Sequence, residues 1–334
     1  MELPELDSID VKGKRILLRL DLDVSTKDDT RLKAAIPTIK YLLEHEAGRI
    51  VILGHKGRPG SSPSPSLSLE PVAKHLEKLL LKELGEEKMK SLDMFVMENL
   101  RFNPCEESND EHFAKELAEQ GDIYINDAFA SCHDNHTSIV ALPQQFKSKS
   151  KNTVAAGLHL IEEVNNLSKV LESPRKPVVF VVGGGKMDKV TLVDKLLNHA
   201  EFVLVGGVLP KKIKSYCREK DGRMCIVAAH LTPNGEDITP DSARNFAEII
   251  KSVGTIVWNG PMGDIDNNYW EGTEIVAEAI AESGAFKVVG GGDTIRSLKT
   301  MHLLDKMDYT STGGGAMLEF LAYGDLPGLK ALRR

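Results

Sequence analysis

Three glycine clusters in the second half of the chain lie where apolar runs end or helical runs begin. Glycines let the backbone turn sharply and leave its N–H groups uncovered, and N–H groups at the start of a helix suit phosphate. One such cluster would predict only a turn, but three in one half of a chain predict a polyphosphate site. The clusters are Gly290-Gly291-Gly292-Asp293-Thr294, Gly183-Gly184-Gly185-Lys186 and Ser311-Thr312-Gly313-Gly314-Gly315.

Charged and hydroxyl side chains accompany these glycines. Asp293 supplies a carboxylate suited to Mg²⁺, because hard cations prefer oxygen ligands. The hydroxyl of Thr294 is suited to capping the helix or to binding a phosphate oxygen. Lys186 and Lys189 are spaced to lie on one face of a helix's first turn. Two cations at the positive end of a helix favour an anion between them, which again indicates phosphate.

A further turn follows the predicted strand 255–258. It contains Asn259 and Pro261, with Asp266 beyond, and we expect it to hold the base or ribose of a nucleotide. The pattern GxxxxGK[ST] is absent from the sequence, which excludes a P-loop NTPase. No GxGxxG opens a helix, which disfavours dinucleotide binding.

The first half of the chain presents a different set of side chains at its predicted strand ends. Arginine suits phosphate and carboxylate because the guanidinium is a planar fork of donors. In an acidic chain this set predicts a site for a small, multiply charged anion. The alternative is that each arginine forms only a surface salt bridge, which contributes little to stability. The set comprises Asp21, Arg31, His55, Arg58 and Arg101.

Composition limits the classes of function. The 334 residues suffice for two domains, and the net charge of −7 argues against non-specific binding to nucleic acid or to an anionic membrane. No apolar run approaches the ~20 residues that span a bilayer, and the acidic start lacks the basic and apolar regions of a signal peptide. No zinc spacing links the cysteines, so we expect reduced thiols in a cytoplasmic protein. The cysteines are Cys105, Cys132, Cys217 and Cys225.

Apolar runs and helical patterns alternate along almost the whole chain, which predicts an α/β fold with parallel sheets. Ligands of such sheets bind beyond the carboxyl ends of the strands, where every motif above lies. A helical pattern over 155–171, followed by Pro174 and Pro177, marks the best domain boundary. We therefore predict an N-terminal domain over 1–153, a connecting helix over 154–172 and a C-terminal nucleotide-binding domain over 173–316.

An anion site in one half and a nucleotide-phosphate site in the other predict a two-domain kinase that closes around its substrates. Closure excludes water, which would otherwise hydrolyse the transferring group. Phosphoryl transfer depends mainly on positioning and charge stabilisation, so a Ser/His/Asp set is unnecessary. A carboxylate acceptor would need no general base, since it has no proton to lose at neutral pH.

The chain resembles the phosphoglycerate kinase family over nearly its whole length. The matching segments occur in the family's order: KGKRILLRLDLDV (12–24), DTRLKAAIPTIKYLL (29–43), HKGRP (55–59), ENLRF (98–102), DIYINDAF (122–129), GGGK (183–186), IVWNGPMG (256–263), VVGGGDT (288–294) and STGGGA (311–316). The resemblance implies two Rossmann-like three-layer α/β/α domains with parallel sheets, joined by a long helix, with the active-site cleft between them. It also implies that the segment 317–334 packs back on the N-terminal domain.

The resemblance further implies an activity and roles for individual residues. The activity is reversible phosphoryl transfer between 1,3-bisphosphoglycerate and ADP, with Mg²⁺, in a cytoplasmic monomer of glycolysis that acts on small molecules. The implied phosphoglycerate site contains Asp21, Asp23, Arg31, His55, Arg58 and Arg101, and the implied catalytic residues are Arg31, Lys186, Lys189, Gly292 and Gly315. The implied nucleotide site contains Gly184, Gly185, Lys186, Lys189, Gly206, Gly207, Asn259, Pro261, Asp266, Gly291, Gly292, Asp293 and Thr294, with Asp293 as the residue associated with the metal.

Some positions depart from the family's pattern. Asp23 stands in place of Asn and Asp134 in place of Arg, and each added like charge at contact range costs roughly 1 kcal/mol in water and up to about 4 at an effective dielectric near 20. Asp266 replaces Glu, the lysine spacing is one residue tighter, and the segment between Gly207 and Asp237 is shorter. These departures leave two alternatives open: an acyl-phosphate kinase with a less acidic or more cationic substrate, and a non-catalytic paralogue that binds nucleotide or a partner protein.

Overall fold

The computed structural model describes residues 2–24, 28–60, 62–149, 152–219 and 223–333. Contacts divide the chain into two compact units, which we call unit 1 (1–164 and 326–334) and unit 2 (165–325). The sequence placed the connecting helix at 154–172 and the returning segment from 317. In the structure the division falls after Val164, and the chain rejoins unit 1 at Leu326.

Unit 1 is built on a five-stranded parallel sheet whose strand order is β3-β2-β1-β4-β5. Strand β1 reads RILLR and is buried over its last four residues, because both faces of a parallel sheet are covered. The strands are β1 (Arg15–Arg19), β2 (Arg49–Leu53), β3 (Met94–Val96), β4 (Ile123–Asn126) and β5 (Val154–Ala156). The helices up to the division are α1 (Thr30–Glu44), α2 (Glu70–Leu84), α3 (Glu86–Ser91), α4 (Pro104–Glu107), α5 (Glu111–Ala118), α6 (Leu142–Lys149) and α7 (Leu158–Glu172).

Strand β5 corrects the prediction of a helical pattern from residue 155. Val154–Ala156 pair in parallel with β4, and α7 begins only at Leu158. Gly157 separates the two elements, since a Cβ at this position would collide with the side chain of Asp127. Asp127 in turn accepts a hydrogen bond from the backbone N–H of Leu160 at 3.0 Å, which fixes the start of α7. The prediction failed because three small apolar residues continue the apolar pattern of the helix.

Unit 2 contains a seven-stranded sheet of order β12-β11-β10-β6-β7-β9-β8, parallel except for its last pair, β9 and β8. The strands are β6 (Val178–Val182), β7 (Phe202–Val205), β8 (Tyr216–Glu219), β9 (Arg223–Ala228), β10 (Thr255–Asn259), β11 (Phe286–Gly290) and β12 (Tyr309–Ser311). The helices are α8 (Val190–Leu196), α9 (Pro240–Ile250), α10 (Glu271–Glu282), α11 (Gly292–Thr300) and α12 (Gly315–Tyr323), and α13 (Pro327–Leu332) then lies in unit 1. These two largely parallel sheets with their helices confirm the predicted α/β fold.

Strand β8 carries a second correction. Its register places Cys217 opposite Cys225 of β9, with 4.1 Å between the Cα atoms, and the two form a disulfide. The expectation of reduced thiols is therefore wrong for this pair, whereas Cys105 and Cys132 are free. The pairing could not be predicted from the sequence because every residue of β8 is exposed, so the strand lacks the alternation of apolar and polar residues that reveals a half-buried strand.

None of the helices that the structure describes is long and apolar enough to cross a membrane.

Candidate functional site

Asn259, at the end of β10, joins the glycine loops of unit 2. Its backbone carbonyl accepts a hydrogen bond from the N–H of Gly183 at 3.0 Å. Its side-chain oxygen accepts one from the ammonium of Lys189 at 2.7 Å, and its side-chain amide donates to the carbonyl of Gly314 at 3.0 Å. Asn259 is 2% exposed, so this residue is a fixed point that holds the loops after β6, β10 and β12 together.

Backbone hydrogen bonds donated by glycines hold the loops after β6 and β7 against the loop after β10. The N–H of Gly207 donates to the carbonyl of Met262 at 3.0 Å, and the N–H of Gly184 donates to the carbonyl of Pro261 at 2.7 Å. Gly207 has a φ of +59°, and a Cβ there would collide with the backbone of Gly184. These two predicted nucleotide-binding glycines therefore build the loops, and their N–H groups are already used within the protein. The neighbouring Gly206 is buried.

Three other predicted glycines adjoin open space. A Cβ added at Gly185, Gly292 or Gly315 would meet no atom of the described residues within 4 Å, and all three are exposed. Gly292 and Gly315 are the first residues of α11 and α12, where backbone N–H groups point out of the helix end. Gly291, the residue before Gly292, is the N-cap of α11 and lies near the side chain of Asn259. The open glycines are therefore the positions at which a phosphate can approach the backbone.

The two lysines after the first glycine cluster have different environments. The side chain of Lys186 is exposed at the start of a single 3₁₀ turn, Met187–Lys189. The ammonium of Lys189 turns inward and donates to the carbonyl of Gly183 at 2.8 Å as well as to Asn259. Burial lowers the pKa of Lys189 to about 8, so its charge is only weakly stabilised at neutral pH. Lys186 is thus available to a ligand, while Lys189 also supports the loops.

Thr294 does not cap α11, whose N-cap is Gly291. The Thr294 hydroxyl is fully buried and accepts a hydrogen bond from the N–H of Gly260 at 2.7 Å. This contact attaches the loop after β10 to the first turn of α11. The threonine therefore helps to position the loop that contains Asn259, and its hydroxyl keeps one proton to donate.

Two predicted carboxylates of unit 2 share one arginine. Arg296 donates from one terminal nitrogen to Asp266 at 2.7 Å and from the other to Asp293 at 2.9 Å. All three side chains are at least half exposed. Arg296 lowers the pKa of Asp266 by hydrogen bonding and charge. Asp293 remains a suitable Mg²⁺ ligand, because Mg²⁺ is commonly bound by one or two carboxylates together with substrate phosphates, and the carboxylate is exposed beside the open Gly292.

In unit 1 a fully buried arginine, Arg19, contacts His55 of the predicted anion site. Its guanidinium contacts Nδ1 of His55 at 2.8 Å and donates to the hydroxyl of Ser138 at 2.9 Å. Ser138 in turn donates to Glu106 at 2.5 Å, so a buried carboxylate balances the buried guanidinium through one hydroxyl. Because an arginine can only donate, Nδ1 of His55 is the acceptor and the proton of the neutral ring lies on Nε2. Burial, followed by the charge of Arg19, holds the pKa of His55 well below its usual value.

Arg101 binds the carboxylate of Asp134, one of the acidic residues that depart from the expected sequence pattern. Its guanidinium donates to Asp134 at 3.1 Å and to the carbonyl of Gly57 at 2.9 Å. Asp134 also lies 3.6 Å from Nε2 of His133 and 3.6 Å from Nδ1 of His136. Burial lowers the pKa of His136, and the Asp134 charge partly opposes that effect. One carboxylate thus lies among three groups that would otherwise attract an anion.

The remaining predicted residues of the anion site have different environments. The carboxylate of Asp23 accepts a hydrogen bond from the N–H of Gly57 at 3.1 Å, and Arg31 donates to the backbone carbonyl of Asp23 at 3.1 Å. Asp23 therefore forms a loop contact beside Arg101. Asp21 accepts hydrogen bonds from the backbone N–H of Ala130 and the hydroxyl of Ser131, at 2.8 and 2.5 Å. Arg58 is exposed on the segment after β2.

Two residues that matter in these sites escaped the sequence analysis. Arg19 lies inside the apolar run of β1, and an arginine within a buried strand is a signal that could have been used, because buried charges need a partner. Arg296 gave no such signal, since an arginine on an amphipathic helix is ordinary. Its importance depends on the distance between two loops that only the fold brings together.

Comparison with known proteins gives a consistent result. The family model described as "Phosphoglycerate kinase" matches residues 6–216 and 213–323. The chain is 33% identical to a phosphoglycerate kinase of Clostridium botulinum over 393 aligned positions, covering 98% of each chain, and 35% identical to that of Rubrobacter xylanophilus, covering 99% of this chain and 98% of the relative. The alignments are longer than this chain of 334 residues, so the relatives carry segments that have no counterpart here.

Solved structures agree with these sequence matches. The structure of phosphoglycerate kinase from Coxiella burnetii superposes with a TM-score of 0.76 and 31% identity, covering 99% of both chains. That of phosphoglycerate kinase from Pyrococcus horikoshii gives a TM-score of 0.77 and 28% identity, covering 99% of this chain and 98% of the other.

Proposed function

We propose, since this chain belongs to the phosphoglycerate kinase family, that it transfers a phosphoryl group reversibly between 1,3-bisphosphoglycerate and Mg-ADP, yielding 3-phosphoglycerate and Mg-ATP. The observation that carries the proposal is the set of open glycines, Gly185, Gly292 and Gly315, beside the exposed Lys186. Loops joined by Asn259 hold this set at the carboxyl ends of the strands of unit 2, which is where α/β sheets bind ligands.

On the nucleotide side, the proposal assigns the phosphates to these open backbone positions. Lys186 and Lys189 contribute positive charge, and charge stabilisation is the main requirement of phosphoryl transfer. Asp293 would hold the Mg²⁺ that accompanies the nucleotide, and the cation would neutralise phosphate charge. Asp266 shares Arg296 with Asp293, and we assign its carboxylate to the ribose hydroxyls of the nucleotide.

On the acid side, Arg31, Arg58 and Arg101 would bind the phosphate and carboxylate of phosphoglycerate. His55 is neutral at neutral pH because its pKa lies well below the usual value, and its Nε2–H can donate to a substrate oxygen. An acceptor carboxylate is already ionised, so no general base is required. We propose that closure of the two domains brings the acid and the nucleotide together, in a cytoplasmic, monomeric enzyme of glycolysis.

A second candidate function is an acyl-phosphate kinase with a less acidic substrate. The observation that favours it is the contact of Asp134 with Arg101, because this carboxylate competes with an anionic substrate for the guanidinium. The two functions differ in the acid that is phosphorylated and not in the nucleotide chemistry.

The test is a coupled assay with 3-phosphoglycerate, ATP and Mg²⁺. We expect turnover that Lys186→Ala abolishes and Asp293→Ala strongly reduces. Lys195→Ala, a change of the same type on α8 of the same unit, is the matched control and should leave turnover unchanged. Robust ATP binding without turnover on 3-phosphoglycerate would favour the second candidate or a non-catalytic nucleotide-binding protein.

A further inference from the structure

We propose that Arg296 is a built-in counter-ion of the nucleotide site, which competes with the divalent cation for Asp293 and thereby sets the metal dependence of nucleotide binding. The inference rests on the proposed function, because it takes Asp293 to be the carboxylate that meets the metal. It assigns to Arg296 a role in specificity that neither the glycine clusters nor the lysines supply.

The contacts of Arg296 place it between two loops. It lies on the first turns of α11, three residues after Asp293, and reaches across to Asp266 in the loop that follows β10. Its two terminal nitrogens each contact a different carboxylate, at 2.7 and 2.9 Å. A single guanidinium therefore links two acids that follow the neighbouring strands β10 and β11.

A metal ion and the Arg296 guanidinium compete for the carboxylate of Asp293. A metal ion bound to the Asp293 carboxylate must share it with, or displace, the guanidinium, so Arg296 weakens the affinity for the metal–nucleotide complex. Without a metal, the same guanidinium lies near the predicted phosphate positions and offsets part of the phosphate charge, so it favours metal-free nucleotide. Removal of Arg296 should thus shift the two affinities in opposite directions. A simple loss of structure would lower both.

The expected size of the effect follows from exposure. The side chain of Arg296 is half exposed, and exposed ion pairs contribute little because water screens them. We therefore expect the dissociation constants to change about two- to fivefold, which corresponds to the interaction free energies measured for exposed ion pairs. The effect should decrease as salt concentration rises, because exposed charges are screened over roughly 10 Å at 0.1 M salt.

The experiment measures binding rather than turnover. The dissociation constant of Mn²⁺ from the chain with ADP is obtained from the electron paramagnetic resonance signal of free Mn²⁺, and that of ADP in EDTA from calorimetry. For Arg296→Ala we expect Mn²⁺ to bind about two- to fivefold more tightly and metal-free ADP to bind about two- to fivefold more weakly. Arg296→Lys keeps the charge without the planar fork and should fall between. Arg244→Ala, which removes an exposed arginine paired three residues away with Asp241 at 2.6 Å, should change neither constant.

Each outcome bears on a different claim. Unchanged or weaker Mn²⁺ binding by Arg296→Ala, with wild-type binding intact, would overturn the inference alone. An equal response of Arg244→Ala would also overturn it, because the effect would then depend on net charge and not on position. Wild-type protein that binds neither Mn²⁺–ADP nor ADP would contradict the proposed function and the inference together.

Discussion

Replacing Asp134 by asparagine should tighten binding of an acidic substrate to unit 1. The carboxylate lies 3.1 Å from the guanidinium of Arg101, and the two side chains are only 22% and 9% exposed. An anionic substrate must therefore compete with a resident carboxylate for Arg101. Asparagine keeps the shape of the side chain and removes the charge, so the competition should disappear while the loop is retained.

The magnitude can be bounded from the geometry. Two unit charges near 4 Å interact by about 4 kcal/mol at an effective dielectric of 20, which is the upper limit of the competition. Asparagine still accepts a hydrogen bond, and Arg101 keeps its contact with the carbonyl of Gly57, so part of that energy is retained. We expect a gain in substrate affinity of about 1.4 kcal/mol, which is about tenfold. The free energy of unfolding should fall by less than about 3 kcal/mol, because the buried Arg101 loses its nearer carboxylate but keeps Glu107 at 3.6 Å.

The assay is calorimetric titration of 3-phosphoglycerate, supported by its KM in the coupled reaction. Asp122→Asn is the matched control: it removes a carboxylate that pairs with Arg15 at 2.8 Å in the same unit, and it should leave substrate affinity unchanged. An Asp134→Asn variant that is folded and binds 3-phosphoglycerate no more tightly than wild type would refute the reasoning. Such a result would mean that the substrate does not use Arg101.

Other predictions concern unit 2. The pKa of Lys189 lies at about 8 in the folded protein, below its ordinary value near 10.5. Between these two pH values the unfolded chain binds more protons than the folded one, so the free energy of unfolding should rise with pH, by up to about 3 kcal/mol. Urea unfolding at a series of pH values should show this rise, and Lys189→Met should abolish it. Replacing both Cys217 and Cys225 by serine should lower the free energy of unfolding by about 2.5 kcal/mol under non-reducing conditions, since the disulfide closes a loop with a separation of 8 residues. In a reducing buffer the wild type loses the disulfide, so the wild type and the variant should unfold with equal free energies. Gly207→Ala should weaken ADP binding at least about tenfold, because the new Cβ collides with a neighbouring loop. Gly235→Ala also has a positive φ, but its Cβ would meet only the flexible end of the Lys211 side chain at 3.5 Å, so it should leave ADP binding unchanged; equal effects of the two glycine changes would contradict the role of loop packing.

Much of the fold was accessible from sequence because apolar runs in parallel sheets are continuous and end at glycines. The predicted strand 255–258 is β10 (Thr255–Asn259), and the glycine cluster 183–186 follows directly on β6, which ends at Val182. The strands that escaped are short or exposed. β5 has three small residues that blend into the following helix, and β8 is exposed throughout.

The candidate site was less accessible, because residue types predict chemistry but not hydrogen-bond partners. Thr294 was expected to cap α11 or to bind a phosphate; the N-cap is Gly291, and the Thr294 hydroxyl accepts a hydrogen bond from a backbone N–H of the neighbouring loop. Asp134 could be recognised as an unexpected charge, but its partner Arg101 lies 33 residues away along the chain and could not be identified from the sequence. Arg296 acquires its two partners in the same way, through a loop 30 residues away. Such long-range contacts arise from the register of the strands and have no local pattern.

The central claim is that the chain phosphorylates the carboxyl group of 3-phosphoglycerate. Incubation with Mg-ATP and this acid in the presence of hydroxylamine converts any acyl phosphate to a hydroxamate, which can be quantified beside the ADP released. We expect hydroxamate and ADP in equal amounts, and both should be lost with Lys186→Ala. ADP release without hydroxamate, or no reaction with an intact nucleotide site, would contradict it.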